Sequence, residues 1–356
     1  MIKPFTYDSR AQRVIFERGA LKHLHREVEL LGATRAIILS TPDQATQAER
    51  AAAQLGGRCA GVFPKAVMHV PIEVARAAIE EARRIGADCA VAIGGGSTMG
   101  LGKAIALESS LPIIAVPTTY AGSEMTPIYG ITDAGIKKTG RDPRLLPRTV
   151  IYDPELSMTL PFALSVTSGI NAIAHAAEGL YAQDSNPIMG LLAVEGIRAL
   201  AEGLPALKHN PSDVEGRARC LYGAWLCGTV LGNVGMALHH KLCHTLGGTF
   251  DLPHAETHTI VLPHVLAYNA RAVPDVMRRI AGAIGAQDAA TGLWDLARNL
   301  GAPVALRDIG MKPNGIGRAV ELATQATYPN PRSLEPVALR ELLERAYAGE
   351  PPKIDE

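Results

Sequence analysis

Apolar positions in roughly the first 155 residues follow two alternating rhythms. Short β-rich runs stand at 36–40 (AIILS), 60–63 (AGVF), 89–93 (CAVAI), 113–116 (IIAV) and 149–152 (TVIY). Between them lie stretches with helical spacing, such as Pro71 to Ile85 (PIEVARAAIEEARRI), where proline suits the first helical position. Strands alternating with helices predict a parallel sheet covered on both faces, a Rossmann-like α/β domain. After "YDPELSMTLPFALSVTSG", punctuated by Pro154 and Pro161, the pattern changes to long Ala- and Leu-rich segments with few β-branched runs. The change predicts a boundary near residue 157: an α/β dinucleotide-binding domain over 1–157 and an all-α substrate domain over 158–356. Its helices are expected to run to about residue 348, before a polar tail (GEPPKIDE) that frays. A length of 356 residues also exceeds what one hydrophobic core usually serves.

One run invites a membrane reading. Leu221 to Leu238 (LYGAWLCGTVLGNVGMAL) carries no formal charge, yet its glycines, Thr229 and Asn233 make it a poor span. It reads as a buried helix whose small residues let neighbours approach closely. Composition changes the picture little: 47% hydrophobic, 20% charged, with Lys+Arg and Asp+Glu equal at 35 each. A balanced chain has no global field to recruit nucleic acid or an acidic membrane, so charge recognition must be local. Five cysteines without CxxC spacing indicate neither a disulfide framework nor a zinc ribbon, and the opening "MIKPFTYDSR" lacks an apolar signal core. A cytoplasmic setting is expected.

The α/β half carries a glycine turn. In "CAVAIGGGSTMGLGKAIAL", Gly94, Gly95 and Gly96 follow a buried strand and precede a helix expected to start near Thr98. Such a turn brings backbone N–H groups at a helix N-terminus up to a pyrophosphate, with Ser97 as a hydroxyl donor. The next strand ends in "AVPTTYAGSE", a second polar loop leaving the same sheet edge, where ligands of open parallel sheets bind. The first strand ends in Ser40 and Thr41, where an acidic residue would bind an adenosine ribose. The choice between NADH and NADPH stays open.

The helical half carries histidines. Asn171 and His175 lie four apart, as do His240 and His244 in "HHKLCHTLGGTFDLPH", which ends on His254. Two residues four apart share a helix face, as in helical zinc sites. The expected carboxylate is missing, and an amide ligates divalent metals poorly, so the pattern reads as old metal-site architecture reused without metal. Taken singly, Asn171 reads as an ordinary polar helix residue, His175 as a satisfied core histidine, Lys241 as a solvated helix residue, Tyr120 and Ser123 as loop packing, and His258 and His264 as structural or helix-end residues. Their co-occurrence with the glycine turn favours a site.

"GGGST…GKAIA", "PTTYAGSE", the N-x-x-x-H helix and the H-x-x-x-H…PH segment together resemble the iron-containing alcohol dehydrogenase family, which is similar in fold to dehydroquinate synthase. Within it the chain is most similar to the branch that reduces maleylacetate, through "PTTYAGSEMTPIYGIT", "KKTGRDPRLLPRTVIYDPEL" and "NPRSLEPVALRELLERAYAGEPP". The resemblance implies a dinucleotide domain, a helical domain, a cleft between them and a homodimer. It places Gly95, Gly96 and Ser97 at the pyrophosphate, Thr118 and Thr119 with Ser123 on the nucleotide loop, and Lys138 facing the nucleotide. His175, His240 and His254 fall on three of four metal-ligand positions, and His244 on the histidine near the nicotinamide. Asn171 stands where the family has an aspartate ligand, and Gly100 where an Asp usually follows the turn.

Maleylacetate is an enone flanked by two carboxylates. Its reduction by NADH or NADPH to 3-oxoadipate, in bacterial degradation of aromatic compounds, places negative charge on the ketone oxygen as an enolate. A hydrogen-bond donor or cation aimed there can replace a metal. An imidazole can be cationic near neutral pH when a carboxylate lies close, and His244 or His254 is the candidate for polarising the oxygen or delivering the proton. Lys241, His239 and the other histidines are candidates for the substrate carboxylates; no nucleic acid or membrane partner is expected. Alternatives are a metal-dependent alcohol or polyol dehydrogenase, a dehydroquinate-synthase-like lyase, and a nucleotide-binding protein without catalysis.

Overall fold

The computed structural model describes residues 4–8, 10–133 and 136–354. Two compact units form, one from Asp8–Leu160 and the other from Pro161 onward together with the N-terminal segment up to Tyr7. In the first, the order is β1 (Arg13–Phe16), α1 (Leu24–Leu30), β2 (Ala36–Leu39), α2 (Ala45–Leu55), β3 (Cys59–Phe63), α3 (Ile72–Arg84), β4 (Cys89–Gly94), α4 (Gly96–Ser109), β5 (Ile113–Pro117), β6 (Ile128–Asp133), β7 (Ile136–Arg141) and β8 (Thr149–Tyr152). Six strands make one parallel sheet in the order β1-β8-β5-β4-β2-β3, and β6 with β7 makes a separate antiparallel hairpin.

Alternation along the central strands explains why both faces are covered. Ile38, Val91, Ile93, Ile114 and Val116 pack with Leu24, Val28, Ala48 and Leu55 on one side. Ile37, Leu39 and Ala90 pack with Ala75, Ala78, Leu101 and Ile105 on the other. The five expected strands are present; β1, β6 and β7 were not anticipated. Arg13 is exposed at the head of the edge strand β1, and IYGITD of β6 is only half-buried along its length. Pro71 caps α3 from outside with extended backbone (ψ 143°) rather than occupying its first turn. Helix α4 begins at Gly96, ahead of the expected start.

The second unit is helical: α5 (Phe162–Tyr181), α6 (Pro187–His209), α7 (Val214–Asn233), α8 (Leu238–Phe250), α9 (His254–Asn269), α10 (Pro274–Ala283), α11 (Ala289–Asn299), α12 (Gly315–Thr324) and α13 (Pro336–Ala348). Leu242, Leu246, Val261, Val265, Val320 and Leu343 form one of its cores. The uncharged run is not a single helix: it spans the end of α7, a break, and the first residue of α8, and the two helices bend by 95°. Among the described residues no single helix is long and apolar enough to cross a membrane; only this bent pair passes jointly on length and composition. The expected fraying also fails for the described part of the tail, because Arg345 donates to the Pro351 carbonyl and Lys353 pairs with Glu341 on α13.

Glycines set the spacing of α6 and α7. A Cβ on Gly223 would stand 2.9 Å from the Gly196 carbonyl oxygen, and one on Gly203 would stand 3.2 Å from that of Gly216. Backbone cannot yield as a side chain can, so the helices would have to separate. Gly223→Ala is expected to destabilise the protein by about 1–3 kcal/mol, the usual range for an overfilled core. An unchanged melting temperature would show that the helices are free to move apart.

Candidate active site

The sheet order places β2 beside β4 and β4 beside β5, with β3 on the far side of β2. Chain direction across the sheet therefore reverses between β2 and β4, the position where parallel α/β sheets take ligands at their carboxyl ends. Three polar loops leave that edge side by side. Gln44 ties them together: its amide donates to Thr118 Oγ1 at 2.6 Å, and its Oε1 accepts from Thr41 Oγ1 at 3.2 Å. The Thr118 N–H donates to the Gly94 carbonyl at 3.1 Å.

Close packing explains the glycines. Gly94 has φ 150°, and a Cβ there would lie 2.4 Å from Thr98 Oγ1; one on Gly95 would lie 2.9 Å from Thr119 Cγ2. Gly96 is exposed and Ser97 half-buried at the N-terminus of α4, so N–H groups rather than side chains face outward there. Ser40 Oγ and Thr98 Oγ1 are buried with no hydrogen-bond partner. An open helix N-terminus with nearby unpaired hydroxyls fits a pyrophosphate. Gly100 has a separate reason: a Cβ there would stand 2.7 Å from Val70 Cγ2. Val70 occupies that space with a left-handed backbone (φ 48°), a conformation costly for a β-branched residue.

Lys103 was missed from the sequence. Its ammonium is buried and donates to Ser123 O (2.7 Å), Ser123 Oγ (3.1 Å), Thr126 Oγ1 (3.0 Å) and Ile128 O (2.8 Å), bracing the loop after β5 from beneath. Burial pulls its pKa down to about 7, against the opposing pull of Glu124. Ser123 is thus held by this lysine. Lys138, by contrast, is exposed on the hairpin with its ammonium 2.9 Å from Asp133.

In the helical unit, α5 is buried along nearly its whole length, which turns Asn171 and His175 inward. Helix α8 starts at the bend and brings His239, His240 and His244; α9 brings His254 and His258. Ring centroids lie 5.2 Å apart for His175 and His240, 6.0 Å for His240 and His244, and 6.4 Å for the stacked His244 and His254. All four expected histidines therefore join one cluster, with His244 and His254 on its exposed side and Lys241 half-buried. His258, read from the sequence as structural, belongs to it as well, 5.0 Å from His240 and 4.3 Å from His254. The four-residue step from His254 to His258 was its signal. His264 lies further along α9 and makes no ring contact with this cluster among those described.

Glu178 organises the group and was also missed. One turn beyond His175, its buried carboxylate accepts from His240 Nδ1 at 2.7 Å. It accepts as well from the backbone N–H groups of Ala237 (3.0 Å), His239 (2.7 Å) and His240 (3.3 Å). A carboxylate from another helix thereby satisfies donors that the first turn of α8 leaves open. Burial alone would raise its pKa; bonds and charge from His240, with His239 and the Ala237 N–H, outweigh that and hold it near 2. With Nδ1 engaged, His240 presents Nε2, which is buried without a partner, as are His175 Nδ1, His258 Nε2 and Asn171 Oδ1.

The expectation of cationic imidazoles fails for three members. Burial, reinforced by neighbouring imidazoles, lowers His175 and His258 well below the ordinary value. Burial also takes His239 to about 3, although Glu178 pulls the other way. His239 therefore cannot supply charge for a substrate carboxylate at neutral pH.

The histidines at the family-type metal positions are not gathered to ligand spacing in this arrangement. Two nitrogens on one zinc stand about 3.3 Å apart. Among the described residues, however, the single set of His, Cys, Asp or Glu donors gathered within 4.8 Å is His239, Cys243 and His258, not His175, His240 and His254. The carboxylate that touches the latter three is Glu178, and it engages His240 through Nδ1; the position that the resemblance implies as the fourth ligand holds the neutral Asn171 amide.

The family description "Iron-containing alcohol dehydrogenase" matches residues 11–154, and "Fe-containing alcohol dehydrogenase family, C-terminal" matches residues 165–347. The chain is 62% identical to a maleylacetate reductase of Burkholderia cepacia over 97% of its length and 98% of the relative's. A solved maleylacetate reductase from Agrobacterium tumefaciens superposes with a TM-score of 0.96 at 52% identity, covering 99% of this chain and 100% of the other. A protein of Ralstonia eutropha JMP134 described as an alcohol dehydrogenase superposes with 0.98 at 63% identity, with the same coverage.

Imidazoles buried in neutral form must bind protons when the chain unfolds in acid. Between the ordinary 6.5 and the folded value of about 3 for His239, the unfolded state holds more protons, so stability falls as pH falls. Glu178, depressed from 4.5 to about 2, adds to the same loss in its own window. Thermal unfolding is expected at lower temperature near pH 5 than near pH 7.5. A melting temperature that holds or rises on acidification contradicts neutral burial of this cluster.

Proposed function

The chain belongs to the iron-containing alcohol dehydrogenase family, and on that premise we propose that it reduces the carbon–carbon double bond of maleylacetate, giving 3-oxoadipate, with a histidine cluster in place of a metal. It is an NAD(P)H-dependent oxidoreductase. The observation that carries the substrate reading is full-length identity of 50–62% to maleylacetate reductases. Neither the metal-dependent alcohol dehydrogenase nor the lyase alternative has comparable support.

The reduced nicotinamide supplies the hydride. Ser40, Thr41, Gly94 to Ser97, Thr118, Thr119 and Ser123 are the residues we assign to holding the dinucleotide, with Lys103 beneath them as a brace; Lys138 has the weakest case, given its pairing with Asp133. Hydride reaches the alkene carbon remote from the ketone, and charge moves to the ketone oxygen. That oxygen needs a donor, and the neighbouring carbon needs a proton. His244 and His254, on the exposed side of the cluster, are our candidates for these roles. His240, held through Nδ1 by Glu178, offers an oriented Nε2 beside them; His175 lies against it, and Asn171 stands one turn before His175 on the same buried helix. Lys241 is the remaining candidate for a substrate carboxylate. A cytoplasmic homodimer remains our expectation from the cysteine pattern and the family resemblance.

Maleylacetate offered with each reduced nucleotide should be consumed equally well with and without a chelator. Activity that vanishes on chelation and returns only with iron or zinc sinks the metal-free reading. His244→Ala should lower kcat by about 100-fold or more, the scale of a lost acid–base group, while NADH binding changes little. A pure cofactor-binding defect contradicts the assigned role. Asn171→Asp should raise affinity for Fe²⁺ by restoring a charged oxygen ligand, and unchanged iron content argues against the assignment of these positions.

A further inference from the structure

Cys243, His239 and His258 stand in the buried part of the cluster with a geometry that the reductase chemistry does not require. His239 Nε2 and His258 Nδ1 are 2.9 Å apart, and Cys243 Sγ lies 3.7 Å from the same Nε2. All three donor atoms fall within 4.8 Å of one another. A tetrahedral zinc, with bonds of about 2.05 Å to nitrogen and about 2.3 Å to sulfur, separates two nitrogens by about 3.3 Å and nitrogen from sulfur by about 3.6 Å. Two of the three spacings, nitrogen to nitrogen and Sγ to His239 Nε2, differ from that pattern by a few tenths of an ångström, and Sγ, which also lies 3.9 Å from His239 Nδ1, has to turn toward Nε2 to share an ion. His239 and Cys243 sit four apart on α8 and so share a face, while α9 brings His258.

We propose that Cys243, His239 and His258 form a binding site for a soft d10 cation, Zn²⁺ or Cd²⁺, separate from the family's ligand positions. Thiolate with two imidazoles is a donor set that favours such ions over iron. On binding, the cation takes the place of the proton between the two rings, and that proton moves to the other nitrogen of the ring that carried it. His258 Nε2, buried without a partner, can receive it. The Cys243 S–H proton leaves to solvent, and the metal–sulfur bond replaces it. One net positive charge then remains in the core. The Glu178 carboxylate, bonded to the His239 N–H at 2.7 Å, compensates for it. Exposed His254, 4.3 Å from His258, offers an outer imidazole through which an ion can enter. The fourth position is left to water, as in zinc sites with three protein ligands.

Titrating the purified full-length chain with Cd²⁺ should produce a thiolate-to-cadmium charge-transfer band that saturates at one ion per chain. In Cys243→Ser the band should disappear. Affinity should fall by more than the roughly 10- to 100-fold lost when even an outer partner of a metal ligand is removed. X-ray absorption of the zinc-loaded wild-type chain should show one sulfur at about 2.3 Å and nitrogens at about 2.0–2.1 Å. That measurement decides the matter even if the serine variant does not fold. No band, a band that persists in Cys243→Ser and vanishes in Cys59→Ser, or a zinc shell without sulfur overturns the site. None of these readouts uses turnover, so they fail independently of the reductase reading.

Discussion

The helical unit is organised around one buried carboxylate. Glu178 accepts from the His240 ring and from backbone N–H groups at the start of α8 at once. A buried charge is tolerated only when its lone pairs are filled, and here they are filled by the groups that the cluster needs held still. The bend between α7 and α8 depends on it, because a helix that starts in the interior has no water to satisfy its first donors. The orientation of His240 follows: with Nδ1 engaged, Nε2 is the nitrogen left to present. Removing one partner from such a buried pair typically costs about 3–5 kcal/mol, so this position is under constraint from folding and from chemistry together.

That arrangement suits enolate formation better than carbonyl reduction. Reducing a simple carbonyl leaves an alkoxide, which a divalent ion stabilises strongly. Conjugate reduction spreads the charge over an enolate and asks less of its partner. A cluster in which His175, His239 and His258 are buried in neutral form, with a single carboxylate turned toward a helix start and the His240 ring, matches the lighter demand. The buried Asn171 amide adds no charge whose burial would require a cation.

The α/β unit is constrained differently, by space. Gly94 and Gly95 leave no room for side chains between the loops after β4 and β5, while Gln44 and Lys103 lash the loop after β5 from the side and from below. At Gly100 the constraint is likewise local: Val70 fills the volume that a side chain would need.

Much of this was legible in the sequence because it depends on short-range pattern. Alternating strands and helices, the glycine turn, the polar loops at strand ends and the four-residue histidine steps each reflect the period of the element that carries them. Edge strand β1 and the β6–β7 hairpin were not legible, since solvent rather than core faces much of them. What the tertiary structure alone decided is how distant residues meet. No periodicity shows that Glu178 reaches α8, that Lys103 lies beneath Ser123, or that His239 and His258 are buried in neutral form. Burial and long-range hydrogen bonds set protonation and orientation, and both arise only when helices far apart in the chain pack together.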